Sequence, residues 1–368
     1  MNKKNAHKDF SPSRKRARKP FSGSRLPYRV FASLSGAFQA SIPRGLNRGI
    51  VRLVFAGILL LIIALPNAAA LAHDGPHDGG PAGWHWDWRV LIPIGLAVGL
   101  YGRGLVEVWR RAGVDHGVQL HQAAAFFTGS VVLLVALVSP VDALGETQLT
   151  MHMIQHLLLM LAAAPLMAYG LTKAALAFSL PNPIRKEAVT RKPWRTGLHV
   201  AGRALTQPAV AWSLHAAAVI LWHLPLLYQA AVDNDTIHAA QHLSFFLTGL
   251  LFWWVYFFGR MGFFAGGLYI FTTATYNGLI GAFLTLSGEL AYPIYAGRAN
   301  IWGLTALEDQ QLAGVIMWVP PSAIYLAALL YTLYTGLRLR ELNPPILAGT
   351  VSSGEEHSLH NPKEGGSG

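Results

Sequence analysis

Met151–Gly170 reads MHMIQHLLLMLAAAPLMAYG, a run without a single Asp, Glu, Lys or Arg. About 20 residues at roughly 1.5 Å each cover the ~30 Å of a bilayer's hydrocarbon, so this stretch is read as a membrane-spanning helix with histidines in its first turns. Working outward, similar apolar segments lie at 89–106 and 122–140 before it and at 208–228, 238–258, 267–287 and 311–336 after it. The expected fold is all-α: a polytopic transmembrane bundle of seven spanning helices after an N-terminal signal-type segment.

Composition agrees with that class. Of 368 residues, 52% are apolar and 13% charged, far too little charge to cover a soluble protein of this length. The net charge of +11 does not point to nucleic acid, because Lys and Arg sit in short connections and in the N-terminal tail rather than along one face. There is no cysteine, which excludes a disulfide frame, a thiolate metal site and haem attached through C-x-x-C-H.

Residues 1–49 are basic and polar and are read as a disordered cytoplasmic tail. Residues 50–72 have the order of a signal peptide: Arg48 and Arg52, an apolar run to Leu65, then Ala68-Ala69-Ala70-Leu71-Ala72. Cleavage after Ala72 and retention as an anchor helix both fit. Residues 73–88 form a periplasmic linker, 89–340 the seven-helix domain and 341–368 a disordered cytoplasmic tail. If cleavage exposes His73 as an amino terminus, the segment His73-Asp74-Gly75-Pro76-His77-Asp78 carries a chelating set suited to Cu(II); uncleaved, it is a polar linker.

Charge orients the helices. The connections 107–121, 172–207 and 259–266 and the C-terminal tail hold Arg110, Arg111, Lys173, Arg185, Lys186, Arg191, Lys192, Arg195, Arg203, Arg260, Arg338 and Arg340. The connections 141–150 and 229–237 hold only Asp142, Glu146, Asp233 and Asp235, and Arg298 is the lone cation of the last outer loop. The positive-inside rule therefore places the start of the third and fifth segments at the outer face.

Both of those helices open with H-x-x-Q-H: His152, Gln155 and His156 in one, His238, Gln241 and His242 in the other. A spacing of i and i+4 stacks two imidazoles on one helical face, a rigid pair able to ligate one ion. His223 stands near the outer end of the antiparallel fourth helix, with His215 two turns deeper, and the seventh opens with Glu308-Asp309-Gln310-Gln311. The expected metal site uses His152, His156, His238 and His242 as ligands, His223 as an additional or transfer ligand and Asp309 as a polar partner. No catalytic residue is assigned. Gln155 and Gln241 either orient the rings or bond between helices; Met151, Met153, Met160 and Met317 read as packing. Trp84, Trp86, Trp88, Trp253 and Trp254 read as interfacial belt residues. Pro140 and Pro225 precede the two motifs by twelve and thirteen residues, which fits either a repeated hairpin, with helices six and seven as a diverged third copy, or chance similarity of a short motif in apolar sequence.

Imidazoles without thiolates fit copper, zinc, iron or nickel, with copper favoured where it is available outside the cytoplasm and haem as the nearest rival. Haem is disfavoured because the histidines of each pair lie only one turn, roughly 6 Å, apart along the axis. The residues leave open a copper transporter, an intramembrane zinc hydrolase using Asp309, and a scaffold indifferent to its histidines.

Met151–Gly170, Trp222-His223-Leu224-Pro225, the run from His238 to Trp254 and the run from Asp309 to Trp318 together resemble the CtaG family of assembly factors for caa-type cytochrome c oxidase, over about residues 85–340. The resemblance implies a multi-pass protein of the bacterial inner (plasma) membrane that aids oxidase maturation by handling copper at its periplasmic face. Its partners would be oxidase subunits, the lipid bilayer and a periplasmic copper chaperone, with no nucleic acid.

Overall fold

The computed structural model describes residues 84, 86–179, 200–259, 261–298 and 300–342. The N-terminal tail, the signal-type segment, most of the linker, much of connection 172–207 and the C-terminal tail lie outside the described residues. So do the expectations attached to them, the His73–Asp78 chelate included.

Among the described residues the protein is helical, without strands. The elements are α1 (Trp88–Ala112), α2 (Leu120–Val138), α3 (Pro140–Gly145), α4 (Leu149–Leu157), a π-helical segment (Leu158–Ala163), α5 (Ala164–Gly170), α6 (Lys173–Ser179), α7 (Pro208–Trp222), α8 (Pro225–Asp233), α9 (Asp235–Phe258), α10 (Phe263–Leu286), a 3-10 turn (Pro293–Tyr295) and α11 (Ala306–Leu342).

Four single helices and the continuous run Leu149–Gly170 are long and apolar enough to cross a membrane. The expected fourth span is not one straight helix: α7 and α8 meet at an angle of 75°. The cause is local, since Pro225 at the first turn of α8 has no N–H to continue α7, and His223 and Leu224 form the corner. The segment expected as the sixth span forms the 24-residue α10, which carries Thr272, Thr273, Thr275 and Asn277 and is not among the helices that are long and apolar enough to cross.

The run Leu149–Gly170 is the central element, packed against α2, α9 and, at its start, α11. Its π segment leads into Pro165, which cannot donate to the preceding turn; the Met160 carbonyl instead accepts from the Trp253 indole N–H at 2.9 Å. Trp253 is thus a buried interior residue, 3% exposed between Phe252, Tyr256, Phe257 and Tyr325. The belt reading fails for it because its indole has an acceptor inside the bundle. Trp86 and Trp88 are exposed as expected.

Two close approaches set the packing. At Gly249 the backbone of α9 comes up to the π segment and α5, with room for a Cβ only 3.4 Å from that of Ala164. Gly281 and Gly314 face each other's carbonyls where α10 crosses α11. Small residues at such crossings let helix backbones touch, which matters where lipid removes the hydrophobic drive for helices to associate. From Gly249 outward α9 diverges from α4, since the two are closest through the π segment and α5. The gap so opened is where the histidine rings lie.

Candidate metal centre

α4 begins at Leu149 because a distant carboxylate caps it. Asp309, on the first turn of α11, accepts the Leu149 N–H at 2.7 Å and the Thr150 N–H at 3.4 Å, and its carbonyl accepts from the Thr150 hydroxyl at 3.0 Å. A helix N-terminus leaves N–H groups without partners and carries a partial positive charge, so a buried anion stabilises it on both counts. α9 begins at Asp235 because the Asn234 side chain accepts from the Thr236 and Ile237 N–H groups. These caps fix the turns from which the two H-x-x-Q-H motifs project.

The motifs meet in register. The rings of His152 and His238 are 5.1 Å apart and those of His156 and His242 5.4 Å apart, with 4.3 Å between His152 and His156 and 4.0 Å between His238 and His242. His152, His156 and His242 each offer a nitrogen such that the three ligand atoms lie within 4.8 Å of one another. His223, at the corner between α7 and α8, stands 6.3 Å from His156. Asp309, expected as a polar partner of the histidines, caps α4 at Leu149 and Thr150, ahead of His152 in that helix.

The hydrogen bonds leave donor atoms free for an ion. His152 Nδ1 lies 3.3 Å from the Gly145 carbonyl and 3.4 Å from the Tyr295 hydroxyl, and His223 Nδ1 lies 2.7 Å from the Val219 carbonyl. A ring whose Nδ1–H donates to a carbonyl presents the lone pair of Nε2, the tautomer a metal requires. The Nε2 atoms of His152, His156, His223, His238 and His242 are all buried without a hydrogen-bond partner, as is His156 Nδ1. Unpaired buried polar atoms each cost about 1–3 kcal/mol, so such a concentration marks a place built to hold something. Neutral nitrogen donors with no thiolate fit an imidazole-seeking transition metal.

The walls are aromatic. Phe245 packs at 4.7 Å on His156, Tyr228 at 5.1 Å on His152, and Tyr292 stacks on Tyr228 at 4.0 Å. Tyr228 and Tyr295 hydroxyls are 3.2 Å apart, and Tyr292 donates to the His223 carbonyl at 2.9 Å. The loop between α10 and α11 that carries Tyr292 and Tyr295 is held by Gln310, which accepts from the Ala291 N–H at 2.7 Å and donates to the Glu289 carbonyl at 3.0 Å. Tyr228, Tyr292, Tyr295 and Phe245 were not anticipated; the Tyr-Pro-Ile-Tyr of the loop has no period by which to recognise them. Gln155 donates to the Ala136 carbonyl and to Asp142, so it bonds between helices. Gln241 turns its amide toward His152 outside hydrogen-bond geometry. Met153, Met160 and Met317 pack in the apolar core around Phe245 and Tyr228.

Apolar helices of membrane-spanning length around a buried histidine cluster define a multi-pass membrane protein with a donor set suited to a metal ion. The chain belongs to the family of cytochrome c oxidase caa3 assembly factors (Caa3_CtaG), whose pattern it matches over residues 99–338. It is also similar to uncharacterized proteins of Mycobacterium bovis and Mycobacterium tuberculosis, 24% identical over 251 residues that cover 63% of this chain and 36% of each relative. The match thus spans about a third of the length of those relatives. No solved structure matches the chain.

Proposed function

We propose that this protein carries copper as cargo at the histidine cluster, on the periplasmic side of the membrane, and delivers it to cytochrome c oxidase during assembly. The observation that carries the reading is the set of three buried imidazoles, His152, His156 and His242, whose ligand atoms lie within 4.8 Å of one another. Family membership supplies the client, and the affinity order of nitrogen donors favours copper outside the cytoplasm. His223 and His238 complete the neighbourhood, and Asp309 acts by holding α4. Oxidase subunits receive the ion, and a periplasmic copper chaperone is the natural donor.

The lysine and arginine asymmetry between connections supports an outward-facing cluster. α10 serves as a further span: Thr272, Thr273, Thr275 and Asn277 each donate to the carbonyl four residues back, so these four side chains bond within the helix. A zinc hydrolase would need a carboxylate free to act on a bound water, and the Asp309 carboxylate is occupied by backbone N–H groups. Against a transporter, the cluster is floored by Phe245 and, deeper, Phe252, while His215 lies 3.3 Å from the Thr248 hydroxyl.

The reading is tested in a host that makes a caa-type oxidase and lacks its own protein of this family. Wild type should restore the copper content and activity of the isolated oxidase, whereas a His152→Ala/His242→Ala variant present at wild-type level in the membrane should not. Copper-replete oxidase from the variant strain would overturn it.

A further inference from the structure

The five histidines do not stand equally far from water. His152 and His156 are each 1% exposed and His242 7%. His223 is 8% exposed, but its ring is tied to the Val219 carbonyl, its own carbonyl accepts from Tyr292, and Tyr228 and Phe245 stand beside it. His238 differs: it is half-buried and lies two residues beyond the exposed run Asp233, Asn234, Asp235 and Thr236. Its recorded ring neighbours are two other histidines, His152 at 5.1 Å and His242 at 4.0 Å. Its Nε2 is buried on that inner side and has no partner. His238 thus stands between the exposed start of α9 and the buried trio, outside the group whose ligand atoms lie within 4.8 Å of one another. Among the described residues the other sides of the cluster are closed by Phe245, by Tyr228 and by the Tyr292–Tyr295 turn held by Gln310.

Resting on the copper-carrier reading, we propose that His238 is a loading ligand, taking an incoming cuprous ion at the solvent edge and passing it to His152, His156 and His242. The exchange is one of coordinate bonds alone. The His238 nitrogen lone pair bonds the ion as a bond to the external donor breaks, and bonds to His152, His156 and His242 then form as that to His238 breaks. The ion stays Cu(I), the imidazoles stay neutral, and no proton or electron is transferred.

A ligand of this kind lowers the barrier in both directions and leaves the end states alone, so it alters rates without altering affinity. This separates it from a permanent ligand, whose loss weakens binding chiefly through faster release. The experiment is stopped-flow transfer of Cu(I) between the detergent-solubilised full chain and a chromogenic Cu(I) chelator, recorded in both directions and at equilibrium. His238→Ala should slow uptake and release together by about ten-fold or more, with Kd within about two-fold of wild type. His238→Met should recover the rates, because a thioether is a soft Cu(I) donor. A raised Kd with faster release would overturn the proposal by making His238 part of the resting site, and unchanged rates would overturn it by making His238 a bystander. His242→Ala should lose binding outright, which reports on the trio independently. Absence of Cu(I) uptake by the wild type would overturn the carrier reading itself, and this role with it.

Discussion

At the scale of single residues the cluster depends on groups that never touch the ion. Asp309 holds the first turn of α4 from 160 positions away in the chain. Asp309→Ala leaves two buried N–H groups without an acceptor, at a cost of about 1–3 kcal/mol, and loosens the turn that aims His152 and His156. We expect a lower melting temperature together with weaker Cu(I) binding, and partial recovery of both in Asp309→Asn, which keeps an acceptor and loses the charge. Wild-type melting with no metal binding in Asp309→Asn would instead make Asp309 a ligand. Tyr295→Phe removes the hydroxyl shared by Gly145 and His152 and should weaken Cu(I) binding by the ~0.5–1.5 kcal/mol of one hydrogen bond, read by chelator competition. The ligand histidines were legible because i, i+4 is a local pattern in the chain. Asp309 was legible as a polar group at the right depth but not as a cap, because its partners are main-chain groups that no side-chain pattern reveals. Tyr292 and Tyr295 act from a loop, where periodicity has nothing to say.

At the scale of elements, three short pieces that begin at a proline each lead into a helix of the centre. α3 begins at Pro140, α8 at Pro225 and the 3-10 turn at Pro293, and each is followed by a helix that contributes to the centre. The proline spacing ahead of the two H-x-x-Q-H motifs was readable, whereas the corner at His223 was not, because hydropathy runs unbroken across it. The distance between α4 and α9 is set below the histidines, at Gly249. A single methyl fits there at ordinary contact distance, so Gly249→Ala should bind Cu(I) nearly as wild type does. Gly249→Leu must push α9 off Met160 and Ala164, an overpacking cost of about 1–3 kcal/mol, and should spread the two motifs and lower affinity by an order of magnitude or more. Equal binding by the two variants, measured at matched folding, would contradict this account of the gap.

At the scale of the whole molecule, the expected spans rest on apolar length and their expected direction on where the lysines and arginines lie, and the apolar length is why the helical class was evident before any coordinate. The sequence marks 267–287 as a span, and the threonines of α10 that dilute its apolarity bond inside their own helix. Topology reporters fused after Glu146, Gly259 and Gly288 should report outside, inside and outside in turn; the same side for the last two would remove α10 from the spans. The central claim, that one site built from both motifs holds copper, is tested most directly by elemental analysis of purified protein after Cu(I) loading and desalting. Wild type would be measured beside His152→Ala/His156→Ala and His238→Ala/His242→Ala. The account predicts bound copper in wild type and its loss in both double variants, since each removes part of the trio. Copper-free wild type, or copper retained in either variant, would contradict it.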